Sequence, residues 1–151
     1  MNNRRIESCK TEHFYALNPR EYDKKALFSM PNVDQLIHHY CSMSYAFTGF
    51  NGDDIIGMGG VFPLWPGVGE AWMFLGDDLK ANKLFVFKQV KKYIELAFEN
   101  LKIHRIQMVC SDEFNEAKNF AAHLGFAPEG KMRQYTLEKK DYLLYARLKD
   151  G

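Results

Sequence analysis

The sequence lacks any run of about eighteen apolar residues that would span a bilayer, although 46% of it is hydrophobic. It lacks a charge excess of either sign, with twenty Lys and Arg against nineteen Asp and Glu. A partner held by bulk electrostatics, nucleic acid above all, is therefore not expected. Cysteine is scarce: Cys9, Cys41 and Cys110 are odd in number, scattered and without a C-x-x-C spacing, and they read as buried free thiols. Arg4 and Arg5 are not followed by an apolar segment, so no secretory signal is expected. These absences together point to a reducing, cytoplasmic compartment. Metal-ligand spacing is missing too. His38 and His39 are adjacent and point to different helix faces, and His104 and His123 have no partners at ligand distance in sequence, so no metal is expected. Neither G-x-S-x-G, a P-loop nor H-E-x-x-H occurs.

What is present is an ordinary globular composition in 151 residues, with no repeat, linker or low-complexity stretch. That length suits one domain. Residues 5–9 read as a short first strand and residues 11–17 as one or two helical turns, stopped by Asn18-Pro19. A second helical piece is expected over residues 21–28. Asn32 and Gln35 have the spacing of a capping pair opening a helix that carries Leu36, Ile37 and Tyr40. The first 41 residues thus suit a helical wall over a substrate better than a core.

Residues 43–50 are strand-like and end at Asn51-Gly52, a strong hairpin signal. Residues 55–62 return, with Gly57, Gly59 and Gly60 allowing a bulge or a close backbone approach. A rigid loop over residues 63–67 leads to a third strand, 70–75. From Ala81 to Leu101 the apolar period becomes 3.6, with Phe87, Val90, Ile94, Ala97, Phe98 and Leu101 on one stripe. Residues 104–110 form a strand with Ile106, Met108 and Cys110 on one face. Residues 115–124 form a helix stopped by Gly125. A hairpin of residues 126–137 and 142–148 around 138–141 completes a mixed α/β (α+β) fold, a largely antiparallel sheet flanked by helices.

Three segments carry a resemblance: His104-Arg105-Ile106; Leu124-Gly125-Phe126, continuing to Glu129-Gly130 and Arg133; and Asp141-Tyr142 through Tyr145 and Arg147. They resemble the C-terminal half of GNAT-superfamily N-acetyltransferases, most nearly the branch that acetylates ribosomal-protein N-termini. The element order from Met43 onward also fits, so the resemblance covers about two-thirds of the chain. The stretch from Phe62 through Trp65-Pro66-Gly67 to Glu70 and Trp72 is similar to GNAT-like proteins encoded by tailed bacteriophages, several of uncertain activity.

The resemblance implies acetyl-CoA as acyl donor and a primary amine as acceptor, a peptide α-amine being favoured, in a monomer or homodimer. The alternative is a catalytically degenerate GNAT-fold binding or structural protein of phage or prophage origin. In the family a splayed strand pairs with the pantetheine arm, and Met73 and Leu75 match those positions. A Q/R-x-x-G-x-G/A loop cradles the diphosphate at a helix N-terminus, where unpaired N–H groups and about half a positive charge meet an anion. The matching residues here run from Lys80 through Lys83 and Leu84 to Phe85: Lys80 takes the basic position, while Lys83 and Phe85 stand where glycines belong. Two readings follow: a variant loop whose lysines act as flexible point charges, or a plain helix start, capped by Asp77 or Asp78, with a solvated lysine face.

The resemblance places a catalytic tyrosine where this chain has Ala121, and a serine and glutamate where it has Ala117 and Thr136. Asn115 falls one residue from a CoA-contacting asparagine position, which Phe114 occupies. Glu70, at the start of the strand beside the acyl site, is the remaining carboxylate base. Trp65 and Trp72 fit either an acceptor cleft or the core.

Overall fold

A computed structural model describes residues 3–17 and 31–151; the helical piece expected over residues 21–28, with Pro19 before it, lies outside the described residues. The elements run β1 (Arg4–Ser8), α1 (Thr11–Ala16), α2 (Val33–Met43), β2 (Tyr45–Asn51), β3 (Asp54–Trp65), β4 (Val68–Leu75), α3 (Leu79–Asn100), β5 (Arg105–Ser111), α4 (Asn115–His123), β6 (Ala127–Met132) and β7 (Tyr142–Leu148). The strands form one seven-stranded sheet in the order β1-β2-β3-β4-β5-β7-β6. Every neighbouring pair is antiparallel except β4 and β5. This is the mixed, largely antiparallel architecture expected from the sequence.

The hairpin signals act through particular backbone angles. Gly52 opens the two-residue β2–β3 connection at φ +63°. The rigid loop expected over residues 63–67 is tighter than that. β3 continues to Trp65, and Pro66-Gly67 alone makes the turn, proline fixing the first central φ and Gly67 supplying +89° at the second. The glycines of β3 serve close approach: a methyl on Gly60 would lie 2.6 Å from the Ala46 Cβ and 2.6 Å from the Tyr45 carbonyl oxygen.

On one face, α3 and α4 cover the sheet. Ile94, Ala97 and Phe98 of α3 meet Ile106 and Cys110 of β5 and Ala121 and Leu124 from the α4 end, all buried, so the 3.6-period stripe and the β5 face were correctly read. Gly125 at φ +88° ends α4 in a Schellman arrangement: Phe126 N–H donates to the Ala121 carbonyl (3.0 Å) and Gly125 N–H to that of Ala122 (3.0 Å). The Arg and Glu of the motif segments meet across the sheet, Arg105 donating to both Glu129 carboxylate oxygens at 3.0 and 2.8 Å.

Three further sequence expectations need correction. Asn32 does flank α2, but in the left-handed region (φ 57°) with no side-chain capping bond, so it and Gln35 are not a capping pair. The last hairpin is looser than expected: β6 stops at Met132, and residues 133–141 form a connection closed by a Tyr135 N–H to Lys140 carbonyl bond of 2.8 Å. Trp65 is 60% exposed and is no core residue.

Candidate active site

The sheet is split at its one parallel junction. β4 and β5 share only three rungs, Val68 with Arg105, Gly69 with Ile106 and Glu70 with Gln107. Beyond them β4 pairs only with β3 as far as Leu75, while β5 pairs only with β7 as far as Ser111. Two strand edges therefore face one another across a gap, and edges of that kind present N–H and C=O groups at alternate residues. On the α3/α4 side the gap opens into an apolar cavity of about 230 Å³, lined by Met73 and Leu75 of β4, Val86 and Val90 of α3, and Met108 of β5 and Ala117 of α4.

Glu70 occupies the last shared rung, where the strands part. Strand alternation turns it away from Met73, toward the α1/α2 face on which Trp72 and Phe74 lie. There the Tyr40 ring stacks on Trp72 at 5.4 Å, Trp72 Nε1–H donates to Ser44 Oγ at 2.9 Å, and Phe14 meets Phe74 edge-on. Burial raises the Glu70 carboxyl above its ordinary range. Tyr40 and Tyr135 are raised as well, each by burial first and by the Glu70 charge second. Their hydroxyls thus stay protonated at neutral pH within the field of that carboxylate. No motif pointed to Tyr135, which sits in the 133–141 connection; only the fold brings it to Glu70.

At the mouth of the gap α3 begins irregularly. Asn82 breaks the helix with φ −128° and is buried, with 2% of its surface exposed. Its Nδ2 donates to the Asp78 carbonyl at 2.8 Å and its Oδ1 accepts from Arg4 Nε at 2.8 Å. Arg4 also donates to the Ala81 carbonyl at 3.1 Å, fastening β1 to this loop. Asp78 makes no side-chain capping bond. Lys80, Lys83 and Leu84 are exposed around the kink, while Phe85 turns inward beside Ile56, Leu75 and Val86. Asn115 is exposed at the first position of α4. Sequence reasoning passed over Arg4 and Asn82. The signal available for Asn82 was a poor helix former inside a first turn.

Ala121 is fully buried in the core and Ala117 lines the cavity, so neither helix position offers a hydroxyl. The described residues contain no cluster of three metal-ligating side chains and no helix long and apolar enough to cross a membrane.

This architecture is shared with solved structures. The chain superimposes over 99% of its length on 96% of a GNAT-family acetyltransferase from Bacillus anthracis, with a TM-score of 0.75 at 14% identity. It is similar over 98% of its length to 96% of a spermidine N-acetyltransferase from Vibrio cholerae solved with CoA and spermine (TM-score 0.76, 14% identity). It is similar over its whole length to 96% of the ribosomal-protein-S5-alanine acetyltransferase from Vibrio fischeri (TM-score 0.69, 17% identity). No protein-family model and no curated protein sequence matches the chain. The fold is that of the GNAT N-acetyltransferases.

Proposed function

We propose that this protein is an acetyl-CoA-dependent N-acetyltransferase acting on a primary amine, with a peptide α-amine favoured over a lysine side chain. The observation that carries this reading is the parting of β4 from β5 directly beyond Glu70, with an apolar cavity on one face and a half-buried carboxylate on the other. The cleft suits the pantetheine arm: it is narrow, apolar and edged by two strands with Met73 and Leu75 on its wall. The diphosphate end would be met through charge rather than through glycines, by Lys80 and Lys83, exposed with Leu84 where α3 starts, and by Asn115, exposed at the start of α4. When bound, acetyl-CoA supplies the activated thioester.

The chain's own residues have two tasks. Glu70 takes the proton from the acceptor ammonium, directly or through a water, because burial raises its carboxylate's affinity for a proton. Tyr135 or Tyr40 holds a proton that can meet the leaving sulfur, replacing the hydroxyl missing at Ala121. A thiol of pKa about 8.5 also departs tolerably as thiolate, so this help is modest. The acceptor preference follows from proton arithmetic. An α-amine of pKa about 7.7–8.0 is roughly 10–15% neutral at pH 7, whereas a lysine at about 10.4 is far below 1%. In this reading the acceptor wall is built from the described elements α1 and α2, the latter with its Tyr40 stacked on Trp72.

The test incubates the protein with acetyl-CoA and two peptides, one with a free α-amine and no lysine, the other blocked at its N-terminus and carrying one lysine. Mass spectrometry should find slow acetylation of the first and little of the second. Robust lysine acetylation overturns the acceptor assignment, and no transfer to any amine overturns the activity. The second reading, a GNAT-fold binding protein without chemistry, is favoured by Ala117 and Ala121 and would then stand.

A further inference from the structure

Two of the three thiols, far apart in sequence, meet in space. Cys9 follows the end of β1, held there by its N–H bond to the Ala46 carbonyl (3.1 Å), and Cys41 lies in the last turn of α2. Their sulfurs stand 3.2 Å apart. We propose that Cys9 and Cys41 are a reversible dithiol–disulfide site, closed by a peroxide and reopened by a dithiol, that ties the end of the first strand to the second helix.

Bonding distance for two sulfurs is about 2.05 Å, so closure asks for roughly one ångström of movement. Both side chains are half-buried and outside the two core clusters, so a small oxidant reaches them without unfolding the sheet. Cys110 is the contrast, buried in the main core. The pair is also asymmetric. Cys9 donates its S–H to the Cys41 sulfur, which favours the Cys41 thiolate, and a Thr11 hydrogen bond favours it further. Cys9 is held protonated by that same bond and by burial. Cys41 is therefore the attacking sulfur and Cys9 the resolving one.

The chemistry closes in two steps. The Cys41 thiolate attacks one oxygen of hydrogen peroxide; the O–O bond breaks, hydroxide leaves and takes up a proton as water, and Cys41 becomes a sulfenic acid. The Cys9 sulfur then attacks the Cys41 sulfur. An S–S bond forms, the S–O bond breaks, and the hydroxyl leaves as water with the Cys9 proton. Two thiols and one peroxide give one disulfide and two waters. Reduction by a dithiol passes through a mixed disulfide and returns both protons.

The bond would enclose residues 9–41 in a covalent loop and fix α2, whose Tyr40 neighbours Cys41 and stacks on Trp72. Closing such a loop restricts the unfolded chain, so the oxidised form should melt at a higher temperature.

The experiment treats the reduced full chain with a slight excess of hydrogen peroxide, then measures intact mass, non-reducing peptide maps and melting temperature. The wild type and Cys110→Ser should each lose two hydrogens, yield a Cys9–Cys41 linked peptide pair and melt several degrees higher, all reversed by dithiothreitol. Cys9→Ser should stop at a sulfenic acid on Cys41 that a dimedone probe traps. Oxygen addition to Cys41 or Cys9 of the wild type without a link, or links formed only between chains, would overturn the proposal. The peptide map of the wild type decides the matter even where a serine variant folds poorly.

Discussion

In the proposed mechanism Glu70 holds a position in which stability and activity pull apart. Its folded pKa lies above its unfolded value because burial penalises the charge. The protonated form is favoured by folding, so this contribution is present below the unfolded pKa and is lost as pH rises through the folded one. In its charged form the carboxylate is a burden on the fold. Glu70→Gln should therefore raise the melting temperature at pH 7, with a smaller gain at pH 4, while lowering the acetyl-transfer rate at least about tenfold at pH 7 and less at pH 9. Calorimetry and a pH–rate profile check the two halves separately. His13 runs the other way. Its Nδ1 accepts from the Lys10 N–H (3.2 Å) and lies 2.8 Å from the Thr48 hydroxyl, an arrangement that needs the ring neutral, and burial lowers its pKa. The stability that goes with neutral His13 is present above the unfolded value of 6.5 and is lost as pH falls below it. A urea titration series should show stability falling from pH 7 to pH 5, and His13→Gln should flatten that fall.

At the scale of elements, much was legible because the signals were local. The Asn51-Gly52 hairpin, the α3 stripe, the β5 alternation and the Gly125 stop each depend on residues a turn or a strand apart, and each is legible in the sequence alone. What escaped is long-range. Arg4 reaches Asn82 across 78 positions, Tyr135 reaches Glu70 through a connection rather than an element, and Cys9 meets Cys41 only when β1 and α2 dock. Glu70 itself was legible as a strand-start carboxylate, but its place at the fork was not, since the three-rung β4–β5 ladder has no sequence signature. Two substitutions probe these elements. Gly60→Ala should destabilise by about 3 kcal/mol or more, since the new methyl meets the Tyr45 carbonyl and Ala46 rather than a movable side-chain tip. Asn82→Ala should cost about 1–3 kcal/mol by leaving the Asp78 carbonyl and the Arg4 guanidinium each short of a bond, and it should weaken CoA binding by loosening the α3 start. Denaturant melts give both numbers.

Across the whole molecule, the sheet is one continuous structure interrupted at a single junction, and the account rests on what enters there. An apolar cleft for the pantetheine, with exposed Lys80 and Lys83 as the proposed phosphate contacts, predicts affinity drawn partly from burial and partly from charge. The charged part should fade with salt, because Lys80 and Lys83 are solvent-screened where a glycine loop would wrap the phosphates closely. The measurement that bears most directly on this is calorimetric titration of the full chain with CoA at low and at high ionic strength. The account predicts one site per chain with a dissociation constant in the micromolar range, about 8 kcal/mol, weakening several-fold as salt is raised. An absence of saturable heat at millimolar CoA would contradict it.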